Sequence, residues 1–179
     1  ALGASGLAWS EHDDDDDGEH RGKREGTDWS APGDLAPVTN PVYRTECGGC
    51  HFAYQPGLLP AADWQRLMAR LDQHFGDDAS LEPKVADELL RYLQANAADR
   101  NARMRSRAFA ARPSAGTDTP RITQTAYFQR KHDEVPTRYV QGNPEVGSFS
   151  RCQACHPGAD QGDFNEHRVR IPGIGRFED

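Results

Sequence analysis

The chain has 179 residues, of which 36% are hydrophobic, and a mean hydropathy of -0.85, so it makes one domain or two small ones and is poor in the apolar material a core needs. No window approaches the roughly 18 apolar residues of a membrane span, so the chain is not expected to span one, and no basic patch exceeds a short arginine run, which argues against a nucleic-acid partner. The formal charge of -7 is local: residues 1–40 hold ten acids, Asp13 to Asp17 among them, against three bases, while the other 139 residues balance at 18 each.

Residues 1–40 read as an acidic, mobile leader, because a charge run of this kind is usually a solvated tail and lacks the spaced ligands of a calcium loop. The opening "ALGASGLAWS" has the small-residue, weakly apolar character of the tail of a secretory signal, and equally that of an ordinary chain start. "APGDLAPVTNPVY" is extended and Pro-rich and leads into "ECGGCHF". "LLPAADWQRLMARLDQHFG" then predicts a helix, with Trp64, Leu67, Met68, Leu71 and Phe75 on one stripe and Gly76 as its stop. A second helix is expected from Pro83 to Ala98, with Val85, Leu89, Leu90, Leu93 and Ala97 as its apolar face. The arginine-rich "RNARMRSRAFAARPSAG" reads as a linker over 101–115 between a first domain at 41–100 and a second at 116–179. Its arginines, Arg100, Arg103, Arg105, Arg107 and Arg112, are either a solvated face or partners for buried carboxylates. "TQTAYFQRKHDEV" predicts a short helix carrying Tyr127, Phe128 and His132 and ended by Pro136. No strand pattern of convincing length occurs, so the expected fold is mainly α, two small domains with long loops.

The four cysteines fall in two copies of one pattern, Cys47-x-x-Cys50-His51 and Cys152-x-x-Cys155-His156, which is the attachment signal for c-type haem. Two thiols on one helical turn reach the two vinyl groups on one edge of a porphyrin, and the next side chain is then held beneath the ring, where an imidazole can bond the iron. With 7 His in the chain, a His directly after one such pair arises by chance about 4% of the time, and after both roughly 0.2%. A thioredoxin-like dithiol needs no His, and zinc ribbons usually separate their pairs by about 15 to 20 residues rather than the hundred or so found here. Two covalently attached haem c groups are therefore expected, with His51 and His156 as proximal ligands and no cysteine left for a disulfide.

What fills the opposite face of each iron sets its chemistry: methionine raises the potential, a second imidazole lowers it, and an open face allows oxygen or peroxide chemistry. The candidates are Met68, Met104, His12, His20, His74, His132 and His167. For the first haem His74 is preferred over Met68, since a Met on a Leu-rich stripe is usually core filling, and a His in a last helical turn can instead satisfy the helix end. For the second haem only 23 residues follow His156 and none is Met, so His132 is preferred, with His167 as its competitor in a strongly polar stretch.

The stretches "CHFAYQPGLLPAADWQRLMARLDQHFGDDASL", "RITQTAYFQRKHDEVP" and "CQACHPGADQGDFNEHRVRIPG" resemble the bacterial dihaem cytochrome c family, the type of purple photosynthetic bacteria, from about Pro41 to Gly173. The resemblance implies two bis-histidine haems, with His74 and His132 where that family carries its distal ligands. It implies a first domain loosely like a class I cytochrome c and a second without a common fold. It also implies a periplasmic, low-potential electron carrier, not an enzyme, that takes electrons from a membrane b-type cytochrome and passes them to a small oxygen-binding monohaem cytochrome. Tandem class I dihaem cytochromes resemble the chain less, because its second half has no Met after Cys155. A dihaem peroxidase-like or gas-binding enzyme with one displaceable ligand is the alternative function.

Overall fold

A computed structural model describes residues 34–111 and 119–177. The acidic run, His12, His20 and Arg112 lie outside these residues. Among the described residues the protein is mainly helical, as expected, and no helix is long and apolar enough to cross a membrane.

Helix α1 (Pro41–Glu46) starts where the Asn40 side chain accepts a hydrogen bond from the Tyr43 amide at 2.9 Å, with Pro41 in the first turn, where its missing N–H costs nothing. Helices α2 (Ala61–Met68) and α3 (Pro83–Ala95) pack on each other, and the Glu82 carboxylate caps α3 by accepting from the Lys84 amide. Val38, Tyr43, Leu59, Trp64, Leu89, Leu93 and Ala97 are buried between these three helices. The indole of Trp64 donates to the Pro56 carbonyl at 2.8 Å, so the largest ring of this core leaves no donor unsatisfied. A second core, with Leu35, Leu58, Ala98, Phe109, Tyr127 and Phe128, lies under α4 (Met104–Ala110) and α5 (Ala126–His132). Thr125 caps α5 by accepting from the Phe128 amide. A third and smallest core, Val140, Val146 and Ile171, joins α6 (Thr137–Val140) and the single turn α7 (Cys152–Cys155) to a hairpin of β1 (Arg170–Ile171) and β2 (Gly175–Arg176), in register Arg170 to Arg176.

Three small cores instead of one fit a chain with so little apolar material, and polar contacts between distant segments join them. The Leu35 amide donates to the Gly162 carbonyl at 3.0 Å, the Gln55 amide group donates to the Ala159 carbonyl, and the Tyr54 hydroxyl donates to the Ser150 carbonyl at 2.8 Å. Gly162 has φ +73 and a Cβ there would sit 2.2 Å from the Leu35 carbonyl oxygen, so no larger residue permits this approach.

The structure departs from the sequence reading in three places. The helix expected to run to Gly76 stops at Met68, and the chain instead makes a 3-10 turn at Leu71–Gln73 followed by a tight hairpin turn. His74 and Asp77 exchange backbone hydrogen bonds of 2.8 and 3.1 Å around Phe75 and Gly76, both at positive φ, the geometry of a type I′ turn. Phe75, counted into the apolar stripe, is exposed. Within the expected leader, Leu35 and Val38 are buried and Asp34 is ion-paired. Within the expected linker, α4 buries Ser106 and Phe109.

Candidate haem sites

Each Cys-x-x-Cys-His segment follows a short helix or forms one. Cys47 caps the end of α1 through its amide, and Gly48 is required after it, because a Cβ there would meet the Arg44 carbonyl oxygen at 2.1 Å. Cys152 to Cys155 form the one turn of α7, closed by the His156 amide donating to the Cys152 carbonyl at 2.9 Å. No disulfide joins the four cysteines. Before any attachment, burial raises the Cys47 thiol, with help from Glu46, to about 11 and the Cys152 thiol to about 12, and raises Cys155 as well. Among the described residues no three His, Cys, Asp or Glu side chains converge as a metal-binding group. No four-thiolate zinc site is therefore assembled among these residues.

The four histidines named from the sequence come together in two pairs. The rings of His51 and His74 have centroids 6.0 Å apart and planes at 22°, and those of His132 and His156 lie 6.2 Å apart at 71°. Imidazole nitrogens bind a metal at about 2 Å and the ring centre lies about 1.2 Å behind, so two rings on opposite faces of one metal have centroids about 6.3 Å apart. Both pairs match that spacing. The Nδ1–H of His51 donates to the Phe52 carbonyl at 2.7 Å and that of His132 to the Phe128 carbonyl at 2.9 Å, so in each ring Nε2 is the nitrogen that would bond a metal. The Nδ1 atoms of His74 and His156 are buried with no hydrogen-bond partner among the described residues. Burial first, then the neighbouring His132 and Arg105, lowers His156 to about 4; burial and His51 lower His74. The neutral form favoured in both is the one that can bond a metal.

Around the second pair lies a cavity of about 560 Å³, of the size that takes a cofactor, into which Cys152, Cys155, His132 and His156 all face. Phe128 stacks on His132 at 3.9 Å, Phe149 meets its edge at 5.9 Å, and Phe164 lies 5.2 Å from His156. Two thiols, two imidazoles and an aromatic wall around one apolar cavity fit a covalently held haem. Of the arginines weighed as carboxylate partners, Arg105 lines this cavity; it pairs with Asp34 at 2.7 Å and donates to the Tyr127 hydroxyl at 3.0 Å and the Phe164 carbonyl at 3.3 Å. Arg100, Arg103 and Arg107 are exposed.

The competing ligand candidates are placed differently. Met68 packs against the first core, Met104 is exposed, and His167 is exposed at the cavity rim, where Lys131 and Glu166 pair at 2.9 Å. The sequence reading did not single out Tyr54, Phe149, Phe164 or Asp34. The first two lie three residues from a motif cysteine or histidine, in "HFAY" and "FSRC", a local signal that was available; nothing local marks Asp34. Tyr54 lies 5.0 Å from the His51 ring, and burial first, then Cys152, pushes its phenol up to about 12.

No curated protein matches the sequence. The chain is similar to the dihaem cytochrome c of Shewanella baltica OS155, with 45% identity over 78% of this chain and 98% of that one and a TM-score of 0.64. It is similar to a dihaem cytochrome c from Rhodobacter sphaeroides, with 45% identity over 73% of this chain and all of that one and a TM-score of 0.62. The family model for dihaem cytochrome c matches residues 43–164. That span takes in both Cys-x-x-Cys-His motifs, both imidazole pairs and most of the cavity wall, from Leu58 to Phe164, and the chain belongs to the dihaem cytochrome c family, with two covalently attached haem c groups.

Proposed function

We propose that this protein is a periplasmic, low-potential electron carrier in which Cys47 and Cys50 hold one haem and Cys152 and Cys155 the other. In this reading His51 and His74 are the axial ligands of the first iron, and His156 and His132 those of the second. The observation that carries it is the pairing of each motif histidine with a second imidazole at 6.0 or 6.2 Å. Bound haem iron takes up and releases one electron between its ferric and ferrous states. The chain fixes the ligands and sets the potential: two imidazoles favour the ferric state more than a thioether does and so lower it. The carbonyls of Phe52 and Phe128 lock the tautomers of His51 and His132 and make those rings stronger donors. A low potential suits a donor of the membrane b-type cytochrome class and an acceptor of the small oxygen-binding monohaem class, the partners the family resemblance implies.

Electron paramagnetic resonance and near-infrared absorption of the oxidised protein test the ligation. Two low-spin signals and no methionine charge-transfer band are expected, and such a band refutes the assignment for at least one iron. His74→Ala and His132→Ala each open one site to carbon monoxide, whereas His167→Ala opens none.

A further inference from the structure

We propose that Arg121 is a positioning residue that latches the exposed loop carrying His74 and so sets how readily that imidazole leaves the first iron. This rests on the ligation proposed above. His74 sits in a loop closed at its base by the Ala79 amide, which donates to the Leu71 carbonyl at 2.8 Å, and Asp72, Gln73 and Phe75 to Asp78 of that loop are exposed. A segment with so few buried contacts opens at little cost, so an iron ligand placed on it needs a hold from outside. At the tip stands Phe75, with φ 57 and 38% of its surface exposed, where a type I′ turn favours Asn, Asp or Gly. A bulky residue in that conformation is strained. What its ring gains there is a cation: the guanidinium carbon of Arg121 lies 3.9 Å from the ring centroid, and the same ring lies 4.8 Å from the His74 imidazole. Arg121 is itself anchored, since it precedes the 3-10 turn Ile122–Gln124, its carbonyl accepts from the Gln124 amide at 3.0 Å, and Ile122 packs against both the first and the second core.

For the imidazole to leave, the tip of the loop has to swing away from His51, and the Phe75 ring has to slide from under the guanidinium. A cation–π contact at an exposed site favours the closed loop over the open one about two- to fivefold. The exchange it restrains is a substitution at ferrous iron: the bond from His74 breaks, one from an incoming neutral ligand forms, and no electron or proton moves. The charge of Arg121 has a second effect, because a cation near the first site favours its ferrous state. Burial first, then His51, and Arg121 after them favour the neutral form of His74, against the Asp77 carboxylate.

Carbon monoxide is the probe, its uptake by the reduced holoprotein followed at the haem bands, with the first haem identified by His74→Ala. Phe75→Leu removes the ring and keeps the charge. It is expected to take up carbon monoxide at the first haem about two to five times faster than wild type, with that haem's midpoint potential unchanged. Arg121→Gln is expected to speed uptake by the same factor and also to lower the first haem's potential. The ferric-to-ferrous ratio at a fixed applied potential then rises roughly twofold, the effect of an exposed unit charge about 10 Å away in water. The double variant should be no faster than Arg121→Gln, because the two residues act through one contact. Wild-type uptake rates in both single variants, or a double variant in which the two factors multiply, overturn the proposal. Faster uptake at both haems overturns it too, since that marks a general loosening of the fold. If the wild-type protein itself lacks a bis-imidazole signal for the first haem, the ligation falls before any variant is compared, and the proposal falls with it.

Discussion

Replacing Arg105 with Gln tests whether the wall of the second cavity tunes its haem. The Arg105 and Asp34 side chains keep only 12% and 8% of their exposure and pair at 2.7 Å, and Arg105 is among the charges that depress His156. Removing the guanidinium leaves a buried carboxylate, so the field at the cavity becomes more negative by one charge. A unit charge about 10 Å from a redox centre, at an effective dielectric of about 20, contributes about 1.7 kcal/mol, which for a one-electron couple is about 70 mV. Extra negative charge stabilises ferric iron, so one midpoint potential should fall by about 70 mV while the other moves far less. Asp34→Asn should move the same potential upward. Breaking a buried pair from one side costs about 3–5 kcal/mol, and for a chain of this size roughly 10 °C in the unfolding midpoint. Spectroelectrochemical titration of both variants against wild type decides the matter. Equal shifts of both haems, or shifts of the same sign in the two variants, refute the reasoning.

Under the proposed ligation, the angle between the imidazole planes of each pair should be visible directly. Rings at 22° act on the same iron d orbital and split the pair strongly, whereas rings at 71° nearly cancel, so the second haem should give the low-spin signal with the larger maximum g value; two superimposable signals would contradict this. Truncation should be sharply position-dependent. Removing residues 1–33 is expected to leave the unfolding midpoint unchanged, while removing 1–40 also strips buried Leu35 and Val38, at about 1.5–3 kcal/mol each, and leaves Arg105 without Asp34; thermal melts of the two truncated proteins, both with haem attached, check this.

The chemistry was legible because it is local. Attachment of a porphyrin edge needs two thiols on one turn and a ligand just behind, so Cys47, Cys50 and His51 sit within five residues and can be read without knowing the fold. His74 could be named for the same site, but the reason it reaches His51 could not. Trp64, Leu67, Met68, Leu71 and Phe75 keep a helical period straight through the point where the chain leaves the helix, and periodicity alone cannot distinguish a stripe from a turn that follows one. The sequence held a competing signal in Gly76, read as a helix stop when it serves as the second central residue of a hairpin turn. For the second site, the "TQTAYFQRKHDEV" pattern was clear enough to place His132 on a helix, and the helix ends there. The cavity around it was not readable, because its wall is assembled from segments with no mutual signal, Leu58, Arg105, Phe149 and Phe177 among them, and the Asp34 that holds Arg105 is 71 residues away from it. The arginine-rich stretch shows the same limit from the other side, since its composition suggests a solvated connector, and only the burial of Ser106 and Phe109 reveals that it covers a core.

The bond between Leu35 and Gly162 also orders events in time. A chain made from its N-terminus presents Leu35 long before Gly162 exists, and by the time residue 162 emerges both Cys-x-x-Cys-His segments, ending at His51 and His156, are already out. The segment before α1 therefore cannot be latched to Gly162 until both motif segments have been made. Closure at Gly162, where no side chain can intervene, is therefore a late clasp that ties the start of the described chain to a segment made after both motifs.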